Sequence, residues 1–259
     1  MIVDMHNHTP LCNHAQGTIQ EYVLSAIKAK TEFFGFSDHA PMDFDPKYRM
    51  KFEDMQKYEK DVLDAQKKYA KEIQVLLGYE VDYLPGHMDK RVLNADVDYL
   101  IGSIHFLEGW GFDNPEFIGK WEEQNIDEIW QKYFDTIAHM AQTKLFDIVG
   151  HLDLIKVFKF MPKSDIVKMA TPALIAIKES GMVLELNVAG YRKKIQEPYP
   201  SKALLQKAYA LNIPITFSSD AHSPEQVAMY NDEIVALAKE VGYTKCSYFI
   251  KRKEYSVSF

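Results

Sequence analysis

Seven short apolar runs recur along this chain, most of them followed by helix-forming sequence, and that alternation limits the fold more than any other feature. The runs are Ile2–Met5, Phe33–Phe36, Ile73–Leu77, Tyr99–Ile104, Phe146–Val149, Met182–Leu186 and Ile213–Phe217. Helical periodicity covers Ile19–Lys30, Phe52–Lys71, Ile126–Gln142, Asp165–Glu179, Lys202–Leu211 and Pro224–Val241. In Phe52–Lys71 an apolar stripe of Met55, Tyr58, Val62, Leu63 and Tyr69 runs along an otherwise charged segment, which predicts an outer helix packed on a sheet. Strand-then-helix units imply a parallel sheet, because parallel neighbours need a crossover between them. No linker or repeat interrupts the pattern, so one α/β domain over residues 1–259 is expected.

Composition narrows the class of partner. A net charge of -7 disfavours broad attraction to nucleic acid or to an anionic membrane. The basic run Lys251–Lys253 is expected to be a solvated face. No apolar run approaches the roughly 20 residues of a membrane span. The first residues show neither a basic region nor an apolar leader, and Cys12 and Cys246 stand far apart. A cytoplasmic protein without a disulfide framework is therefore expected.

The histidines carry the chemistry. Of nine, six end apolar runs: His6, His8, His39, His105, His151 and His222. His14 lies in the first loop, while His87 and His139 fall outside the pattern. Strand C-termini are the side on which barrels of parallel strands keep their active sites. Two carboxylates join the set, Glu80 in LLGYE and Asp220 in FSSDAH. On an extended chain residues i and i+2 face the same way, which pairs His6 with His8 and Asp220 with His222. Asp4 shares the first of these faces and could orient an imidazole, as could Asp38 beside His39.

Seven imidazoles and two carboxylates exceed the three or four protein ligands of one zinc-like ion. They suffice for two ions, and suit three if one carboxylate bridges. Such a mixture favours Zn, Fe or Mn over Ca or Mg. Three divalent ions bring about +6, of which two carboxylates and a hydroxide leave roughly +3. That surplus attracts an anion, a phosphate dianion above all, and metals lower the pKa of bound water. Hydrolysis of a phosphate ester is implied.

The motifs DMHNH, SDH, GYE, GSIH, GHLD and SSDAH, in this order from Asp4 to His222, resemble those of the polymerase-and-histidinol-phosphatase (PHP) superfamily. GSIHFLEGWGFDNP and NVAGYRK further resemble its stand-alone histidinol-phosphate phosphatases of histidine biosynthesis. The resemblance implies a distorted (β/α)7 TIM-like barrel with three divalent metal ions at the C-terminal strand ends. Carried over by motif, His6, His8, Glu80 and Asp220 would hold one ion. Glu80, bridging, would hold a second with His105 and His151. His14, His39 and His222 would hold the third. A hydroxide between the first two ions would attack phosphorus, and the third ion would grip a phosphoryl oxygen. The small phosphorylated substrate implied is L-histidinol phosphate.

Outside the ligands, Arg192 in NVAGYRK could clamp the phosphate in bidentate fashion. Lys156 in HLDLIK is a second phosphate candidate. Asp153, two positions after His151, could orient a ligand, receive the substrate's ammonium group or protonate the leaving alkoxide. Trp110 or Phe112 could cover the substrate's imidazole, or the loop could pack its aromatics on the barrel rim. His87 reads as a loop residue, His139 as structural, and Cys12 as a small buried residue.

Three other readings stay open. A nucleotide phosphoesterase or exonuclease would use the same metals, and would show itself by releasing nucleotides from DNA. An amidohydrolase would open with the same HxH strand, but uses a carboxylated lysine on its fourth strand, where this chain has GSIH. A metal-binding module without turnover would be expected to have lost ligands.

Overall fold

In the computed structural model, which describes residues 1–259, all seven apolar runs contribute strands. They are β1 (Val3–Asp4), β2 (Phe33–His39), β3 (Gln74–Asp82), β4 (Tyr99–Ser103), β5 (Ile148–Val149), β6 (Val183–Asn187) and β7 (Ile215–Ser218). The sheet follows chain order and every neighbouring pair is parallel. The first and last strands then meet. Met5 N–H donates to the carbonyl of Phe217 (3.0 Å), and His8 N–H to that of Ala221 (2.9 Å). The result is a nearly closed barrel.

Around it lie α1 (Ile19–Lys28), α2 (Met55–Tyr69), α3 (Ile126–Thr143), α4 (Ile166–Ser180), α5 (Lys202–Ala210) and α6 (Asn231–Val241). Helix α1 starts in a capping box, with Thr18 and Glu21 each satisfying the other's backbone amide. Helix α2 buries Met55, Tyr58, Val62 and Tyr69 as the stripe predicts, but Leu63 stays exposed. Between β3 and β4 the connection shrinks to one helical turn, Lys90–Leu93. Both faces of the sheet are covered, so β3 is buried everywhere except Gln74. One apolar cluster of 72 residues runs through the barrel and its helices.

Two departures from the sequence reading matter for function. The helix expected at Pro224–Val241 is split: Ala228 and Tyr230 adopt positive φ, and α6 begins only at Asn231. The freed segment turns back to the β7 end, where Ala228 N–H donates to Ser219 Oγ (2.8 Å). The second departure is a hairpin of Lys245–Ile250 with Lys253–Ser258. The basic run forms its turn rather than a merely solvated face. Arg252 pairs with Asp147 and donates to the carbonyl of Leu145 (2.8 Å), while Lys251 reaches Asp96 (2.8 Å). These partners precede β5 and β4, so the hairpin sits at the N-terminal end of the barrel, opposite the histidines. No helix is long and apolar enough to cross a membrane.

Candidate metal centre

Strand register starts the site. The polar ends of β2 and β3 pair as strand, which sets His39 directly beside Glu80. After β1, an isolated bridge between Asn7 and Ala221 prolongs the extended chain. His6 and His8 therefore both turn inward, ring centroids 4.9 Å apart. Glu80 stands among the imidazoles. Its Oε2 lies 3.3 Å from His6 Nε2 and 2.9 Å from His39 Nδ1; its Oε1 lies 3.0 Å from His151 Nε2 and 3.7 Å from His105 Nε2. Asp220 Oδ1 is 3.2 Å from His8 Nε2.

Asp220 holds this place at φ +49°, the left-handed region that disfavours any residue with a Cβ. Arg192 braces the strained turn, its Nη2 donating to the carbonyls of Ser219 (2.9 Å) and Asp220 (2.8 Å). Asn187 Nδ2 donates to Asp220 Oδ2 (3.1 Å).

A further set of carboxylates backs the imidazoles. Glu185 Oε1 lies 2.6 Å from His6 Nδ1, Asp82 Oδ1 lies 2.6 Å from His105 Nδ1, and Asp38 Oδ1 lies 3.4 Å from His8 Nδ1. An acceptor at Nδ1 fixes the tautomer and leaves the Nε2 lone pair facing inward. Asp82 is itself clamped by Arg49 Nη1 at 2.6 Å, both side chains buried. Asp38 thus serves His8, not its neighbour His39. Asp4 backs no imidazole, because Ser219 N–H (2.8 Å) and Oγ–H (2.5 Å) and Asn7 Nδ2 (3.1 Å) take its oxygens.

The remaining three histidines meet on the open side. His14 Nε2 and His222 Nε2 are 3.0 Å apart, and the His14 and His39 rings are 5.3 Å apart. His14 faces inward because its Nδ1 is tied to the carbonyl of Cys12 (2.8 Å). Burial lowers the pKa of all three, that of His39 to about 4, so their lone pairs are free at neutral pH. On the buried side, burial opposes ionisation of Glu80 and Asp220. The surrounding imidazoles, His6 first, outweigh it and hold both carboxyls well below the usual range.

The residues present fit divalent metal ions. His6 Nε2, His8 Nε2 and Glu80 Oε2 are buried without a hydrogen bond, an expensive state unless a cation satisfies them. Donor atoms lie within 4.8 Å of one another in His6–His8–Glu80, in Glu80–His105–His151 and in His14–His39–His222. A fourth grouping joins His8 and His222 to Cys12, whose thiol is fully buried and whose pKa burial pushes up. A cavity of about 500 Å³ opens over the cluster, with Arg49, Asp113, Arg192, Lys193 and Tyr199 in its wall. Arg192 Nη1 has no partner.

Residues 4–189 match the family model described as PHP domain. The chain belongs to the PHP domain family. A Deinococcus radiodurans protein named "Probable histidinol-phosphatase" is 37% identical over 246 residues, covering 93% of this chain and 94% of that protein. "Histidinol-phosphatase" of Bacillus subtilis strain 168 is 28% identical over 256 residues, covering 86% and 94%. The crystal structure of histidinol phosphate phosphatase from Lactococcus lactis, complexed with Zn, L-histidinol and phosphate, matches with a TM-score of 0.80. It covers 98% of both chains at 19% identity, and so shares the fold.

In this PHP chain two sequence expectations are met by different geometry. Asp153 and Lys156 lie outside the cavity wall. Lys156 Nζ is 2.9 Å from Asp153 Oδ2, both about 1% exposed, and donates to the carbonyl of Pro198 (2.8 Å). The i, i+2 argument from His151 fails because the chain leaves the strand there and enters the 3₁₀ turn Leu154–Lys156. The aromatics of the GWGFDNP loop pack inward, Trp110 on Trp121 and Phe112 on Tyr133, so of the two alternatives the rim packing is the one observed. His87 pairs with Asp43 (2.9 Å) away from the cavity, and His139 is exposed on α3.

Sequence reasoning missed Glu185, Asp82, Arg49 and Asp113. A signal existed for two of them. Glu185 interrupts the apolar run MVLEL, and Asp82 follows Glu80 by two on the same strand. The buried carboxylates Glu185 and Asp82 add negative charge beside the divalent-metal donors, and Arg49 and Arg192 offset part of it.

Proposed function

We propose that this protein hydrolyses L-histidinol phosphate to L-histidinol and phosphate at the metal centre of its PHP barrel. The observation that carries the reading is the convergence of metal donors with Arg192 on a single cavity. The named activity of the Bacillus relative and the ligands of the Lactococcus structure support it.

His6, His8, Glu80 and Asp220 would hold one ion, Glu80, His105 and His151 a second, and His14, His39 and His222 a third. The donor mixture suits Zn, Fe or Mn. When bound, such ions supply a water of lowered pKa and polarise phosphoryl oxygens. The chain's own residues do the rest. Glu185, Asp82 and Asp38 hold His6, His105 and His8 in the tautomer whose Nε2 faces the cluster. Arg192, anchored through Nη2, offers Nη1 to a phosphoryl oxygen, and Lys193 adds positive charge in the same wall. Asp153 and Lys156 contribute by stiffening the segment after His151.

The test is phosphate release from L-histidinol phosphate beside a panel of unrelated monoesters, with metal content measured on the same sample. A clear preference for L-histidinol phosphate is expected. Comparable rates across the panel would leave a phosphatase of broad range and sink the specific reading.

A further inference from the structure

Of five carboxylates in the cavity wall, four are engaged. Glu80 and Asp220 lie among the imidazoles, Asp82 bridges His105 and Arg49, and Asp45 Oδ2 stands 3.8 Å from Arg49 Nη2. Asp113 has no ion-pair partner and no hydrogen bond to another residue. The basic side chains that influence it are His105 and His151. As metal ligands these are neutral imidazoles that donate no hydrogen bond to Asp113, and the charge of the ion they would hold is met first by Glu80, which shares their grouping.

The backbone that carries Asp113 is pinned on both sides. Before it, the short hairpin pairs Phe106 with Gly111, and Phe112 is wholly buried with its carbonyl accepting from Trp121 Nε1 (2.9 Å). After it, Asn114 caps the next turn by accepting from Glu116 N–H (2.9 Å). The carboxylate is therefore presented to the cavity by a fixed mount, and a half-buried carboxylate without a partner is costly unless a ligand supplies one. Arg192 sits at the Asp220 end of the same cavity, while Asp113 sits at the His105–His151 end. The wall of that cavity also includes the apolar side chains of Phe106, Leu154 and Val157.

We infer that Asp113 accepts a hydrogen bond from the ammonium group of the substrate, so that it selects phosphate esters carrying an amine near the ester oxygen. The inference rests on the histidinol-phosphatase reading, and it moves to Asp113 a role that sequence spacing suggested for Asp153.

The experiment compares the metal-loaded wild type with Asp113→Asn and Asp113→Ala on two matched esters. These are L-histidinol phosphate and its deamino counterpart, imidazolylpropyl phosphate. In both variants the preference for the amine ester, as a ratio of kcat/KM values, is expected to fall about 10- to 100-fold. The loss should reside in KM more than in kcat. Equal losses on the two esters, or an unchanged ratio, would overturn the inference even if the wild type is a good histidinol phosphatase. A wild type that turns over L-histidinol phosphate no faster than unrelated monoesters would instead overturn the reading beneath it, and the inference with it.

Discussion

The carboxylate-rich half of the cluster and its all-imidazole half are built on different terms. His6, His8 and Glu80 are at most 1% exposed, and His6, His8 and His105 each lean on a carboxylate at Nδ1. His14, by contrast, is exposed on a loop and leans on a single carbonyl; His39 and His222 are partly exposed and lack a carboxylate at Nδ1 that stands outside the ligand set. The first half is a rigid, charged, desolvated assembly whose orphaned atoms call for cations. The second is a group of neutral imidazoles that water can reach. Support behind a ligand sets its orientation and basicity, so the buried half should retain metal and the open half should exchange it.

The largest effect that would break this contrast is expected at Glu80, the carboxylate shared by the His6–His8–Glu80 and Glu80–His105–His151 groupings. Glu80→Gln should lower kcat by at least about 10³-fold and cost metal at both groupings, read by turnover and elemental analysis. His14→Ala should remove about one ion and lower kcat by roughly 10²-fold. Loss of all metal from that variant would show the halves to be a single cooperative unit. Glu185→Gln and Asp82→Asn should each weaken metal affinity or activity by about 10- to 100-fold, measured by chelator competition. If the open half loses its ion last in that competition, the assignment of tight and loose halves is reversed.

Proton linkage separates the halves again in the metal-free protein. For His39, burial puts the folded pKa at about 4, below its ordinary 6.5. The unfolded chain takes up that proton first, so stability is lost as pH falls from about 6.5 to about 4. For His105, burial opposes protonation, but Asp82 and Glu80 overcome it and raise the pKa to about 10. Its contribution is complete below about 6.5 and is lost as pH rises through about 10. Thermal melts of chelated protein should therefore peak near pH 6.5, and a monotonic rise of Tm with pH would contradict the His105 geometry.

The smallest catalytic effect is expected at Asp153. Asp153→Asn breaks a buried ion pair and should cost about 3–5 kcal/mol of stability by denaturant titration, with a change in kcat under about threefold. A large drop in kcat at unchanged stability would restore the catalytic role that its spacing from His151 suggested.

Much of the fold could be read from the chain because each strand and helix repeats its own local signal. The lengths of β2 and β3 could not, since Ser37–His39 become strand only by pairing with Gly78–Glu80, and Val81 and Asp82 only by pairing with Gly102 and Ser103 of β4. Ligand candidates stood out because imidazoles at strand ends are conspicuous in one dimension. Asp153 misled because an i, i+2 rule presumes extended backbone, and the chain turns directly after His151. Asp113 was hidden in an aromatic loop whose neighbours carry the stronger signal.

The sequence by itself determined the alternation that makes a parallel sheet and the residue types able to bind metal, since both depend on chemistry and local spacing. Only the tertiary structure decided which carboxylate backs which imidazole, that Lys156 is spent on Asp153, and that Asp113 stands alone. The imidazole–carboxylate pairings join residues as far apart as His6 and Glu185, and they exist only once closure of the barrel fixes the register of its strands.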